Sequence, residues 1–247
     1  HLASSAASDV YKRQVMNTGK SLIRLTFERF LSLCPAENIF IVTNKMYKAQ
    51  VKEHLPELTD NQILCEPSRN NTAPCIAYTA LKLQALDPEA NLIVAPSDHI
   101  ILSEVKFLDY LRTGLAFTAA NDALLTLGIR PTRPDTGYGY IRYENTEADH
   151  DIKKVRQFTE KPDLEKAREF LATGEYLWNA GIFVWRVKTL LEAFQRNAKE
   201  IYDILAAGAA QYNTDKEQAF IDEHYPTTPS ISVDYAIMEK ADNIYTI

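Results

Sequence analysis

The sequence predicts an α/β fold: a doubly wound, mostly parallel sheet with a mixed-sheet extension. Three observations carry this. Apolar runs alternate with amphipathic stretches at intervals of about 25–30 residues through the first half, the rhythm of strands wrapped by helices. Those runs are continuous in Ile, Val and Leu, as expected for strands covered on both faces. Of the 247 residues, 46% are hydrophobic and 24% charged, an ordinary globular mix at a length that α/β domains reach as one unit.

The elements follow in order. Residues 20–33 set Leu22, Leu25, Phe30 and Leu33 near one helical face. A buried strand is expected at 38–44, a helix at 47–55 and a strand at 62–66, closed by Pro67. A helix over 71–86 opens with Asn71 or Thr72 as cap, and Pro74 is tolerated in its first turn, where the missing N–H has no partner to lose. Strand 91–98, helix 103–120 capped by Ser103, and strand 123–129 complete the first half. Beyond it, strands are expected at 137–143, 152–159 and 181–187. Helices are expected at 163–173, 188–197, 200–210, 215–224 and 232–240, with a last strand starting at 243. No internal repeat or linker divides residues 15–247.

Composition excludes several classes. Twenty-seven basic against 33 acidic residues give a net charge of −6, and a pI near 5.5 argues against broad nucleic-acid binding. Cys34, Cys65 and Cys75 are odd in number and widely spaced, which speaks against a disulfide framework or zinc site and for a reducing cytoplasm. No apolar run is long enough to span a membrane. Residues 1–14 lack both a secretory pattern and periodicity, and are read as a non-native leader outside the fold.

Ligands of open α/β sheets bind beyond the carboxyl ends of strands, and four segments lie there. In Cys65-Glu-Pro-Ser-Arg-Asn-Asn-Thr-Ala-Pro74 a strand end meets a helix N-terminus, and Glu66 could accept two hydrogen bonds from a nucleobase. The same residues also suit a capped helix with a solvated Glu. In Ala95-Pro-Ser-Asp-His99, Asp98 is placed for Mg²⁺ on a nucleotide phosphate, or equally for a turn. Thr136-Gly-Tyr-Gly-Tyr-Ile141 spends two of only eight glycines, offering a sugar close backbone approach at the glycines and flat rings with hydroxyls at the tyrosines, or making a bulged or twisted strand. In Phe158-Thr-Glu-Lys-Pro162 the two charged side chains point to opposite faces of an extended chain and need not pair, so Lys161 can meet a phosphate and Glu160 sugar hydroxyls; the same residues also suit an ordinary exposed pair before a Pro stop. Asn179, heading Asn-Ala-Gly-Ile-Phe183, suits hydroxyl recognition or a turn.

Taken together and in order, EPSRNNTAP, APSDHI, TGYGYI, FTEKP, WNAGIFVW and SVDYAIMEKA resemble the bacterial mannose-1-phosphate guanylyltransferases (GDP-mannose pyrophosphorylases) over roughly residues 17–247. The resemblance implies the sugar-phosphate nucleotidyltransferase variant of the doubly wound fold. It implies formation of GDP-mannose and pyrophosphate from GTP and mannose 1-phosphate with Mg²⁺. It assigns Asp98 to the metal, Glu66, Asn71 and Thr72 to the guanine end, and Tyr138, Gly139, Glu160 and Asn179 to the sugar. Lys161 would hold the sugar phosphate and, with Asp98, carry the catalysis.

Two departures accompany it. Members of that family begin with a first strand and a Gly-rich loop carrying an Arg, then a Lys-Gln-Phe segment, and residues 1–14 match none of these. A second metal Asp, in a Gly-Trp-Ser-Asp segment, would follow beyond residue 247. The expectation is a chain incomplete at both ends and inactive as it stands, lacking the middle strand of its sheet. The alternatives are a related transferase using another base or sugar, and a non-catalytic nucleotide-sugar binding or regulatory module. A homo-oligomer is left open.

Overall fold

The computed structural model describes residues 20–97, 103–145 and 151–247 in full, and the backbone of 2–5. The elements run β1 (Leu2–Ser5), α1 (Leu22–Phe30), β2 (Ile39–Asn44), α2 (Lys48–His54), β3 (Ile63–Glu66), α3 (Thr72–Leu86), β4 (Asn91–Pro96), α4 (Glu104–Ala120) and β5 (Leu124–Ile129). They continue with β6 (Tyr140–Tyr143), β7 (Lys153–Thr159), α5 (Leu164–Thr173), β8 (Tyr176–Arg186), α6 (Val187–Asn197), α7 (Lys199–Ala206), α8 (Glu217–His224), a π-helix at Asp234–Met238, and β9 (Ile244–Thr246).

One nine-stranded sheet has the order β3-β2-β1-β4-β8-β5-β9-β7-β6. The strands β3, β2, β1 and β4 are parallel neighbours, and β5 and β9 are parallel to each other. Each strand sends alternate side chains to opposite faces. Phe40 and Val42 therefore join the core under α3, α6 and α7, whereas Ile39 and Ile41 join the one under α1, α2 and α4. Layers on both faces are what the doubly wound reading requires.

β8 shapes the site. It lies antiparallel between β4 and β5, pairing Val94 with Phe183 and Leu125 with Val184. Because it runs against its neighbours, its first half arrives at their carboxyl ends and carries Asn179 there. That first half also pairs with β6, and the pairings β6–β7, β7–β9 and β9–β5 close a ring of five strands beside the parallel region. This is the predicted mixed extension.

Several boundaries differ from the sequence reading. The strand expected at 181–187 begins at Tyr176, because Tyr176 and Trp178 face a third apolar cluster with Tyr140 and Phe170. The strand expected from 137 begins at Tyr140, after a turn in which Gly137 N donates to Asp135 Oδ1 at 2.7 Å. The helix expected over 232–240 is a π-helix of five residues. The reading that leaves residues 1–14 outside the fold is corrected at Leu2–Ser5, which pairs in parallel with both β2 and β4 in the middle of the sheet. Strand pairing is made by backbone groups. A slot flanked by two strand edges captures a segment whose Ala and Ser side chains carry little strand preference of their own.

Candidate functional site

A first polar cluster forms where β3 meets α3. The chain leaves Glu66, turns, and enters α3 with Asn71 at φ 66° and ψ −166°, its Oδ1 accepting from Thr72 N at 2.8 Å. That backbone combination is strained for a residue other than glycine. Asn70 is buried and holds the turn. Its Oδ1 accepts from Ser68 Oγ at 2.7 Å, and its Nδ2 reaches Thr228 O at 2.9 Å, Thr228 Oγ1 at 3.0 Å and Tyr225 O at 3.3 Å. Asn71 and Thr72 are exposed beside it. The Tyr225 hydroxyl donates to Glu66 Oε2. Burial pushes the Glu66 carboxyl up to about 7, against the pull of the Tyr225 hydrogen bond and the Arg69 charge.

A second cluster forms at the start of β8 and the end of β7. Asn179 is buried and fully engaged: Oδ1 accepts from Thr126 Oγ1 at 2.7 Å and from Gly181 N at 3.2 Å, and Nδ2 donates to Asp234 Oδ1 at 2.9 Å. Its backbone N–H donates to Gly139 O at 2.8 Å. A Cβ at Gly139 would stand 3.1 Å from Phe158 Cζ and 3.3 Å from Glu160 Oε1, so those side chains would have to give by a few tenths of an ångström. Glu160 also donates its backbone N–H to Glu239 Oε1 at 3.0 Å. Glu160 and Asp234 are coupled: burial raises both carboxyls, the Asp234 charge raises Glu160 further, and the hydrogen bond between them lowers Asp234. Burial and proximity favour one proton shared between these two half-buried carboxyls.

The sequence reading set Glu160 and Lys161 on opposite faces of an extended chain. The structure ends β7 at Thr159 and holds exposed Lys161 at φ 41°, in the left-handed region. A lysine there is strained, and strain of that kind concentrates at functional sites.

Gly139, Glu160 and Asn179 are thus brought together, and Asp234 joins them. The sequence reading quoted SVDYAIMEKA without singling out its Asp, and a carboxylate inside an otherwise apolar segment was the available signal. Residues 231–234 also link the two clusters: Ala73 N donates to Ile231 O at 3.0 Å, and Val233 N to Thr72 Oγ1 at 2.8 Å. Tyr138 stands apart from the carboxyls. Its ring stacks on Trp178 with centroids 4.7 Å apart, and Trp178 and Asn179, successive in β8, project to opposite faces. Asp98 lies outside the described residues, as does His99. Among the described residues no group of three or more His, Cys, Asp or Glu has the arrangement of a metal site. No described helix is long and apolar enough to cross a membrane.

Residues 7–225 match the family described as Nucleotidyl transferase. The chain is 35% identical over 232 residues to a mannose-1-phosphate guanylyltransferase of Salmonella typhimurium, covering 92% of this chain and 48% of that protein. It is 37% identical over 213 residues to the mannose-1-phosphate guanylyltransferase of Escherichia coli K12, covering 83% of this chain and 44% of the relative. The chain therefore spans about half the length of the curated relatives it matches. Among solved structures, it resembles a protein described as mannose-1-phosphate geranyltransferase from Thermus thermophilus, with a TM-score of 0.84 and 27% identity over 100% of this chain and 73% of that one. A structure described as mannose-6-phosphate isomerase from Helicobacter pylori shares the fold, with a TM-score of 0.82 at 24% identity over 100% of this chain and 96% of that one.

Proposed function

The chain belongs to the nucleotidyl transferase family, and from that premise we propose that it joins GTP to mannose 1-phosphate, forming GDP-mannose and releasing pyrophosphate. One observation carries the reading furthest: the two clusters share the carboxyl edge of one sheet and are linked through Thr72 and Val233. The first cluster suits a nucleobase. Glu66 presents a carboxylate beside the exposed Asn71 and Thr72, and guanine offers N1–H and N2–H₂ along one edge. The second cluster suits a sugar. Asp234 and Glu239 can accept from hydroxyls, and Gly139 lets a ring approach the backbone. Lys161 would hold the sugar phosphate.

The chemistry needs no protein nucleophile. A phosphate oxygen of the sugar phosphate attacks the α-phosphorus in line, the bond from that phosphorus to the α–β bridging oxygen breaks, and pyrophosphate leaves carrying that oxygen. Two anions must meet, so the chain's task is to hold them in line and offset their repulsion, with Lys161 supplying a fixed positive charge. A lone carboxylate after a strand, with phosphates as further ligands, is a donor set that fits Mg²⁺ better than a dedicated protein cage. Asp98 would hold that ion, which would neutralise phosphate charge.

The test is an assay of the purified protein for pyrophosphate release from GTP and mannose 1-phosphate with Mg²⁺, beside ATP, UTP and CTP and beside glucose 1-phosphate. Turnover greatest for GTP with mannose 1-phosphate is expected. A different preferred pair would move the assignment to another base or sugar. Tight GDP-mannose binding without turnover would make the chain a binding module.

A further inference from the structure

Resting on the assignment of Glu66 to the nucleobase, we propose that Tyr225 is a specificity-determining positioning residue whose buried hydroxyl holds Glu66 as a fixed, acceptor-only carboxylate. Tyr225 follows α8 and is fully buried, its ring packed edge-on against Tyr78 with centroids 6.2 Å apart. Its own backbone carbonyl accepts from Asn70 and from Thr228 Oγ1, so the ring is anchored to the same turn that carries Glu66. The hydroxyl donates to Oε2 and leaves Oε1 with no partner among the described residues.

The groups facing this carboxyl are Tyr225 from beyond α8, Arg69 from the turn and Cys75 from α3. Burial and the Glu66 charge keep the Tyr225 hydroxyl protonated far above the ordinary tyrosine range, so it stays a donor. A donor favours the ionised form of the carboxyl it meets. Near neutrality Glu66 is finely poised, and the hydroxyl tips it toward the carboxylate. The consequence is a matter of base choice. An ionised Glu66 accepts from guanine N1–H, whereas a protonated one carries a donor that adenine N1 can accept. Tyr225 thus acts on discrimination through Glu66, without touching the base.

The experiment measures the ratio of GTP to ATP affinity by calorimetric titration from pH 5.5 to 8.5, in the wild type, Tyr225→Phe and Glu66→Gln. Taking the ratio cancels the titration of the phosphates. In the wild type the ratio should rise with pH through about 7. In Tyr225→Phe it should fall about fivefold at pH 7, since a one-unit upward shift takes the ionised fraction of Glu66 from about one-half to about one-eleventh, and largely recover by pH 8.5. In Glu66→Gln it should be low and flat. A Tyr225→Phe profile that matches wild type, or a loss that does not recover at pH 8.5, overturns the role of Tyr225. An unchanged ratio in Glu66→Gln overturns the base assignment itself. Should Tyr225→Phe fail to fold, the wild-type profile still decides: a ratio flat across this range defeats the proposal.

Discussion

The two clusters at the sheet edge are built by opposite means. At 67–73 the asparagines and Thr72 behind the turn are already engaged, leaving Glu66 Oε1 as the open acceptor among the described residues: Asn70 makes four hydrogen bonds, Asn71 caps α3, and Thr72 accepts from Val233. At 139–181 acceptors outnumber donors. Glu160, Asp234 and Glu239 crowd together, with Asn179 and the Glu160 backbone N–H as donors and Lys161 strained beside them. A rigid surface suits a flat base that must be read by shape and a few hydrogen bonds. A surplus of carboxyl acceptors suits a ring rich in hydroxyl donors, which is the reading proposed above for the second cluster.

The largest effect expected is at the element between them. Asp98 follows β4, which lies between β1 and β8 in the sheet. Asp98→Asn keeps the shape and removes a charge, and turnover should drop on the order of 10²-fold or more, as for a lost electrostatic stabiliser. Near-normal pyrophosphate release would show that Asp98 does no such work. The next effect should separate the clusters. Lys161→Met should raise KM for mannose 1-phosphate by about tenfold or more while leaving that for GTP nearly unchanged. Equal changes for both substrates would make Lys161 a structural residue.

A third test bears on stability. Asn70→Ala leaves the buried carbonyl of Thr228 without this partner, at about 1–3 kcal/mol for each unsatisfied group. The midpoint of urea unfolding should fall accordingly, whereas Asn71→Gly, at an exposed position whose positive φ suits glycine, should cost less. Equal losses would deny that the turn is held from its buried side.

The smallest effect is a slope. The Glu160 carboxyl is raised, to about 8, by burial and the Asp234 charge. A carboxyl raised on folding adds stability that is complete below its ordinary range and is lost as pH climbs from there toward 8. Wild-type unfolding free energy should therefore decline over that window, and Glu160→Gln should flatten the decline. An unchanged slope in that variant would mean that the two carboxyls do not share a proton.

Much of this was legible beforehand because it is local. Strands β2, β3, β4 and β5 show as apolar runs, and α3 shows its cap and its Pro74, since a helix start is decided within one turn of chain. Glu66, Asn71, Thr72, Glu160, Lys161 and Asn179 stood out because strand ends and helix starts are where a sheet leaves its polar groups. What surrounds them was not legible. Tyr225 meets Glu66 across 159 residues, and Asn179 meets Asp234 across 55. No periodicity records such contacts, because they are made when separate elements pack. The antiparallel insertion of β8, which delivers Asn179 to the site, depends on which strand edges were vacant. So does the capture of Leu2–Ser5 between β2 and β4. Sequence alone determined the elements and the residues offered at their ends. Tertiary structure decided which of those residues meet, and hence that one cluster ties down its turn while the other crowds carboxyls together, because burial and proximity set a carboxyl's charge and neither is a property of the chain taken in order.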